Sequence, residues 1–158
     1  MKKIITAVII IAVLGVGYWL ISPLFLSKQV KEALPTSQIP VTTSKPSSTA
    51  QLVATGSFRD VLAGHHAKGT VNLLKVGSDY YVRFEDDFKI TNGPDLVVYL
   101  GKNNQYDPAT KLSVLKGNIG SQNYQIPATI DVSQYDEVWV WCRSFSVPFG
   151  AASLNRKL

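Results

Sequence analysis

The stretch VNLLKVGSDYYVRF occupies residues 71–84 and decides the class of fold. Residues 71, 73 and 75 alternate with residues 72, 74 and 76 between the two faces of an extended chain. Residues 80–84 are rich in aromatic and β-branched side chains, which favour strands. Because Gly77-Ser78 lies between the two segments and is typical of a tight turn, the stretch predicts a β-hairpin.

The same pattern extends over residues 51–158. Turn-forming residues at 92–95 precede an apolar strand at 96–100, and a polar loop is predicted at 101–108. Residues 138–142 form another β-prone run, and residues 149–154 are predicted to close the sheet. Helical periodicity is not sustained anywhere after residue 51. These features predict one all-β domain, a β-sandwich or a barrel-like fold.

An apolar segment precedes this domain. Residues 4–26 contain no charged residue, and at about 1.5 Å per residue they are long enough to cross a bilayer core of about 30 Å. We therefore predict an N-terminal transmembrane helix, a membrane anchor at residues 1–27. A cleaved signal peptide is the alternative, although its apolar part is normally shorter. Lys2 and Lys3 favour an extracytoplasmic domain.

A tether is predicted at residues 28–50. It contains Pro35, Pro40 and Pro46, with serine and threonine between them. Such a composition buries little apolar surface and favours a semi-extended spacer.

The charge of the chain does not indicate nucleic-acid binding. The net charge is +5, but five of the 16 basic residues and one of the 11 acidic residues precede residue 50. The domain itself therefore carries a charge of only +1. The excess of lysine lies where it would meet lipid headgroups.

Cys142 is the only cysteine, so the chain has no internal disulfide and no Cys-x-x-Cys site. Strand alternation places it on one face with Val138 and Val140, and places Trp139 and Trp141 on the other face. Two interpretations are open. Cys142 is either a small buried hydrophobic residue or a redox thiol that could also bind a cofactor.

His65 and His66 are the only histidines, and neighbours in an extended chain point to opposite faces. Cys142 with one histidine provides too few ligands for a closed zinc site, so no metal site is predicted. A haem needs one or two axial ligands and stays open. Hydrolase motifs are absent, which favours an accessory or binding domain over a stand-alone enzyme.

Several ordered blocks resemble the DM-thirteen domain family, which is labelled an electron-transfer domain. The similarity covers about residues 51–155. Its blocks are residues 92–100, 115–127 and 141–150, with a weaker one at His65 and Gly69. The residues that carry it, beside Cys142, are Asn92, Gly93, Pro94, Asp95, Gly117, Asn118, Gly120, Gln122, Asn123, Tyr124 and Trp141.

The resemblance implies an all-β, extracytoplasmic domain with a signature cysteine, which matches Cys142. That cysteine is expected to be redox-active or to bind a redox centre such as a haem, with His65 as a neighbour and another redox protein as partner. The block residues also have a structural interpretation. Gly93-Pro94 would set a turn, Asp95 would accept hydrogen bonds from nearby amides, and Gly117 and Gly120 would need positive φ.

The leading hypothesis is a membrane-tethered, extracytoplasmic redox or electron-transfer accessory domain that uses Cys142. The alternative is a non-catalytic cell-surface module that binds envelope polysaccharide or a protein partner. Aromatic residues could provide its contact surface, namely Tyr80, Tyr81, Tyr124, Trp139 and Trp141.

Overall fold

Short alternating segments form strands throughout the domain. The computed structural model describes residues 9–12, 14–17, 27–36 and 49–156. Its strands are β1 (Gln51–Arg59), β2 (Ala67–Lys68), β3 (Thr70–Val76), β4 (Asp79–Phe84), β5 (Lys89–Ile90), β6 (Leu96–Lys102), β7 (Gln105–Val114), β8 (Gln122–Ile126), β9 (Glu137–Cys142), β10 (Val147–Ser153) and β11 (Asn155–Arg156). A single 3-10 turn over Val132–Gln134 is the one helical element described within the domain.

Nine strands form one sheet in the order β7-β6-β9-β10-β1-β3-β4-β8, with β11 beside β1. The first part of β1 pairs with β3, while its end, at Phe58 and Arg59, pairs with β10. The sheet therefore curves at β1, and its edge strands β7 and β8 come into contact. The result is a nearly closed, barrel-like sheet. The predicted all-β, barrel-like fold is confirmed.

The predicted hairpin is β3 and β4, and Val76 before the turn is paired with Asp79 after it. Val71, Leu73, Val82 and Phe84 from its inner face are all buried in the main core. Burial of such side chains removes apolar surface from water at about 25 cal/mol per Å². The register of the hairpin is therefore determined by which face carries the apolar residues.

Strand β9 separates two apolar clusters, as its alternation predicts. Val138, Val140 and Cys142 face the main core. Trp139 belongs to a smaller outer cluster, and Trp141 packs against that cluster.

The prediction of a polar loop at residues 101–108 is wrong for most of that range. Strand β6 continues to Lys102 and β7 begins at Gln105, so only two residues connect them. Asn103 and Asn104 have φ values of 54° and 61°. Asparagine adopts this left-handed conformation more readily than most residues, and two such residues make a tight hairpin turn. The polar side chains after the turn lie on an edge strand, which tolerates them.

The predicted anchor is described only in part. Residues 9–12 and 14–17 are helical, and the rest of residues 1–26 lies outside the described residues. No helix in the described part of the chain is both long and apolar enough to cross a membrane. Residues 37–48 of the predicted tether also lie outside the described residues, whereas residues 27–33 are hydrogen-bonded to the domain.

Candidate functional site

Cys142 is the last residue of β9, and it is fully buried with its thiol free. Its partners in the register are Leu96 of β6 on one side and Val147 of β10 on the other. Residues that face each other on neighbouring strands point to the same side of the sheet. Cys142 and Leu96 therefore lie together in the main core.

Leu96 also lines a cavity of about 520 Å³. The first two motif blocks provide most of its wall, and Ser27, Lys28 and Val114 complete it. Leu96 is only 4% exposed, and it belongs both to the wall of the cavity and to the core that contains the thiol. The motif residues in the wall are Asn92, Gly93, Pro94, Gly117 and Asn118.

An ion pair joins the first motif block to the third. The Arg143 side chain donates two hydrogen bonds to the Asp95 carboxylate, at 2.9 and 2.8 Å, and the Arg143 amide donates to the Asp95 carbonyl at 3.1 Å. The hydrogen bond from Arg143 lowers the pKa of Asp95. The expectation that the Asp95 carboxylate would bond nearby backbone amides is therefore wrong, because the Arg143 guanidinium binds both of its oxygens.

Phe149 brings His65 to the same region. The His65 ring stacks on Phe149 with the ring centres 3.9 Å apart. A Cβ added to Gly93 would lie 2.8 Å from Cε1 of Phe149, so Gly93 is needed for space there. Nδ1 of His65 is buried and has no hydrogen-bond partner. The weak fourth block is thus connected to the first and third blocks through one aromatic ring.

The residues at this site do not fit a bound redox centre. Neither Cys142 nor His65 lies in the wall of the cavity at Leu96, and Cys142 is enclosed by aliphatic and aromatic side chains. Among the described residues, no group of three or more His, Cys, Asp or Glu side chains could hold a metal ion. A haem ligated by Cys142 would need space that the packed core lacks.

A buried hydrogen-bond network organises the second block. Gln122 accepts a bond from the Gly117 amide at 3.1 Å and donates to the Gly117 carbonyl at 2.8 Å. The Tyr124 hydroxyl donates to Gln122 at 2.6 Å, and burial raises the pKa of Tyr124. Tyr124 therefore belongs to the core and does not provide an exposed aromatic surface.

The two glycines of this block have different requirements. Gly120 has a φ of 91°, as predicted, but Gly117 does not have a positive φ. A Cβ on Gly117 would instead lie 2.5 Å from the Lys28 carbonyl oxygen and 2.6 Å from Cγ2 of Val30. The prediction for Gly117 is therefore wrong, since close approach of another segment explains it.

Aromatic residues form a second cavity, of about 420 Å³, on the outer face of the sheet. Tyr106 stacks on Trp141 with ring centres 4.1 Å apart. Trp139 completes this wall and donates a hydrogen bond from Nε1 to Glu137 at 3.0 Å. Trp141 is partly exposed, so its ring can contact a ligand.

Sequence reasoning missed Arg83 and Glu32, which hold residues 28–33 against the second block. No motif marks either of them. Glu32 could have been noticed as the only acidic residue before residue 50.

Comparison with known proteins gives one match. The model of a protein family described as Electron transfer DM13 matches residues 58–154. No curated protein and no solved structure matches the chain. The matched region contains Cys142, His65 and all the motif residues of the site.

Proposed function

The chain belongs to the Electron transfer DM13 family, and we propose that it is a redox accessory domain whose functional group is the Cys142 thiol. The observation that supports this proposal most is the convergence of the motif blocks. Leu96 comes from the first block and pairs with Cys142. Arg143 and Phe149 come from the third block: Arg143 bonds to Asp95 beside Leu96, and Phe149 lies in the same core as the thiol.

The buried thiol needs local opening before it can react. Leu96 lines the motif-lined cavity and is the cross-strand neighbour of Cys142, so its displacement would admit an oxidant from the cavity. Hydrogen peroxide would convert the thiol to a sulfenic acid and release water. A thiol of a partner protein would then form a mixed disulfide with Cys142 and release a second water. Both steps need only the one cysteine that the sequence contains.

Thiol labelling of the full-length protein in detergent tests this proposal. We expect slow labelling of native Cys142, and about tenfold faster labelling in Leu96→Ala, because the opening needed becomes smaller. Leu100→Ala is the matched control, since Leu100 lies in the same strand and core but pairs with Val138. Peroxide should add one oxygen atom to the peptide that contains residue 142 in the wild-type protein and none to that peptide in Cys142→Ala.

The proposal fails if folded wild-type protein and folded Leu96→Ala both resist labelling and oxidation. Equal acceleration in Leu96→Ala and Leu100→Ala would show that labelling follows global unfolding, which also contradicts a dedicated route through the cavity.

The proposed setting is the extracytoplasmic face of a membrane, with residues 4–26 as a retained anchor. The uncharged length of that segment supports this proposal, as do the lysines that flank it. An anchored domain would meet membrane-bound redox partners without diffusing through bulk solution.

The aromatic cavity favours a second candidate function, a binding module for envelope polysaccharide. Trp141, Tyr106 and Trp139 present ring surfaces beside the amide groups of Asn104 and Gln105. Sugar rings stack on aromatic faces and hydrogen-bond to amides. Binding of labelled polysaccharide should then be lost in Trp141→Ala and retained in Cys142→Ala, whereas no binding by the wild type would exclude this function.

A further inference from the structure

Residues 28–33 lie in an extended conformation against the loop that precedes β8. The Val30 amide donates to the Ile119 carbonyl at 2.9 Å, and the Ile119 amide donates to the Lys28 carbonyl at 3.3 Å. The Glu32 amide donates to the Ser121 carbonyl at 3.0 Å. These bonds repeat as in a short parallel strand pair, so the backbone of the segment is recognised directly.

Glycines make this close approach possible. A Cβ on Gly120 would lie 2.2 Å from the Val30 carbonyl oxygen, and a Cβ on Gly117 would meet Lys28 and Val30. Any side chain at these two positions would displace the segment. Two residues of the family-like motif thus leave room for a peptide.

The carboxylate of Glu32 has a dedicated set of donors. Lys116 Nζ donates to its two oxygens at 2.7 and 3.0 Å, and the Asn123 amide donates to the second oxygen at 2.8 Å. Both oxygens accept hydrogen bonds, so an amide in place of the carboxylate would set its NH₂ group against a donor. The groove therefore selects an acidic side chain at this position.

Arg83 binds the backbone of the docked segment at Glu32 and Ala33. Its side chain is almost fully buried, and it is oriented by Glu85 at 3.0 Å and by the Asn123 side chain at 2.9 Å. Nη1 donates to the carbonyls of Glu32 and Ala33 at 3.2 and 3.1 Å. A buried guanidinium that is oriented by two other side chains is a preorganised donor for a peptide.

The groove lies inside the region matched by the family model, and its occupant lies outside that region. Arg83, Lys116 and residues 117–123 lie inside the region that the family model matches, but residues 28–33 precede it. We propose that this surface is a docking groove for an extended peptide that carries a carboxylate at the position of Glu32, and that residues 28–33 of the same chain fill it. The domain is thereby clamped to the chain directly after residue 27. This inference does not use Cys142.

A cleavage experiment on the full chain tests the clamp. A protease site is inserted between Thr43 and Ser44, an N-terminal tag is used for capture in detergent, and the chain is cut to completion. We expect the domain fragment to stay with the captured N-terminal fragment. Glu32→Gln should speed its release by about tenfold, because one oxygen acceptor is lost.

Lys31→Gln is the matched control, since Lys31 lies in the same segment but is exposed. It should release the domain at the wild-type rate. A synthetic peptide of residues 27–36 should compete with the clamp, and its Glu32→Gln form should compete less well. Immediate separation of the wild-type fragments would overturn the proposal, as would equal release by the Lys31 and Glu32 variants. If two uncut chains that carry different tags were captured together, the groove of one chain would be filled by residues 28–33 of a second copy instead.

Discussion

Cys142 occupies a site that suits a thiol better than a hydroxyl. Its neighbours across the strands are Leu96 and Val147, and its cluster consists of aliphatic and aromatic side chains. A thiol is a weak hydrogen-bonding group, so its burial without a partner costs little free energy.

This environment predicts the order of stability of two variants. Cys142→Ser would bury a hydroxyl without a partner and should lower the free energy of unfolding by about 1–3 kcal/mol. Cys142→Ala removes one heavy atom and leaves no polar group, so it should lower the free energy less. Urea unfolding of both variants measures the difference. A serine variant at least as stable as the alanine variant would contradict the aliphatic environment described here.

Glu32 predicts a pH dependence for the clamp. Burial opposes its ionisation, but hydrogen bonds from Lys116 and the Asn123 amide outweigh burial and hold the pKa of Glu32 below its ordinary 4.5. Because the pKa of Glu32 is lower in the docked state than in the free segment, ionised Glu32 stabilises the docked state at pH values above the free pKa. This contribution is lost as the pH falls through the lowered pKa. The other charged groups at the segment are Lys116, which bonds to Glu32, and Arg83, which is paired with Glu85.

Release of the cut domain, measured from about pH 7 to about pH 3, should therefore accelerate only below the ordinary pKa of a glutamate. Glu32→Gln should release fast at every pH and show a smaller pH effect. Acceleration that begins near neutral pH would contradict the assignment to a carboxylate.

At the scale of elements, the loop before β8 is the part of the domain that does more than connect strands. It closes one end of the motif-lined cavity, and its other side receives residues 28–33. Gln122 holds the loop by bonding to the backbone of Gly117 and Gly120. The loop is thereby rigid enough to present its own backbone groups to a peptide.

Comparison of Gly120 with Gly64 distinguishes the effect of backbone strain from the effect of contact with the docked segment. Gly120 and Gly64 have φ values of 91° and 85°, but only Gly120 has an atom of the clamp segment close to the position of an added Cβ. Both alanine variants should lose stability of about 1 kcal/mol from strain. Gly120→Ala alone should also release the cut domain, as followed in the capture assay. Equal retention in the two variants would show that the close approach is dispensable.

At the scale of the whole molecule, the two candidate surfaces have no lining residue in common. The motif-lined cavity lies next to the start of the described segment at Ser27, whereas the aromatic cavity lies on the outer face of β9. A domain clamped right after the proposed anchor would keep the first cavity near the membrane surface. Partners in the membrane and ligands in the cell envelope could then bind at the same time.

Fractionation tests the proposed anchor. The full-length protein should stay with membranes through a high-salt wash and should dissolve in detergent, because residues 4–26 would be buried in lipid. Deletion of residues 4–26 is the control and should leave the protein in the supernatant. A mature chain that begins near residue 28 would show instead that the segment is a cleaved signal.

Much of the fold could be predicted because its signals are local. Alternation in residues 71–84 and 138–142 determines which side chains are buried, and a strand buries one face whatever its partner is. The hairpin and the position of Cys142 on one face with Val138 and Val140 follow from that pattern, and its repetition over residues 51–158 predicted the all-β class. The motif blocks, through their resemblance, also identified the family.

Contacts between distant residues had no such signal and depended on the tertiary structure. The pairing of Asp95 with Arg143, of Phe149 with His65, and of Glu32 with Lys116 joins residues far apart in the chain. Gly117 illustrates the reason. A glycine in the sequence shows that a side chain is excluded, but backbone conformation and an approaching segment exclude it equally well. Only the folded chain, which brings Val30 against that glycine, decides between the two causes.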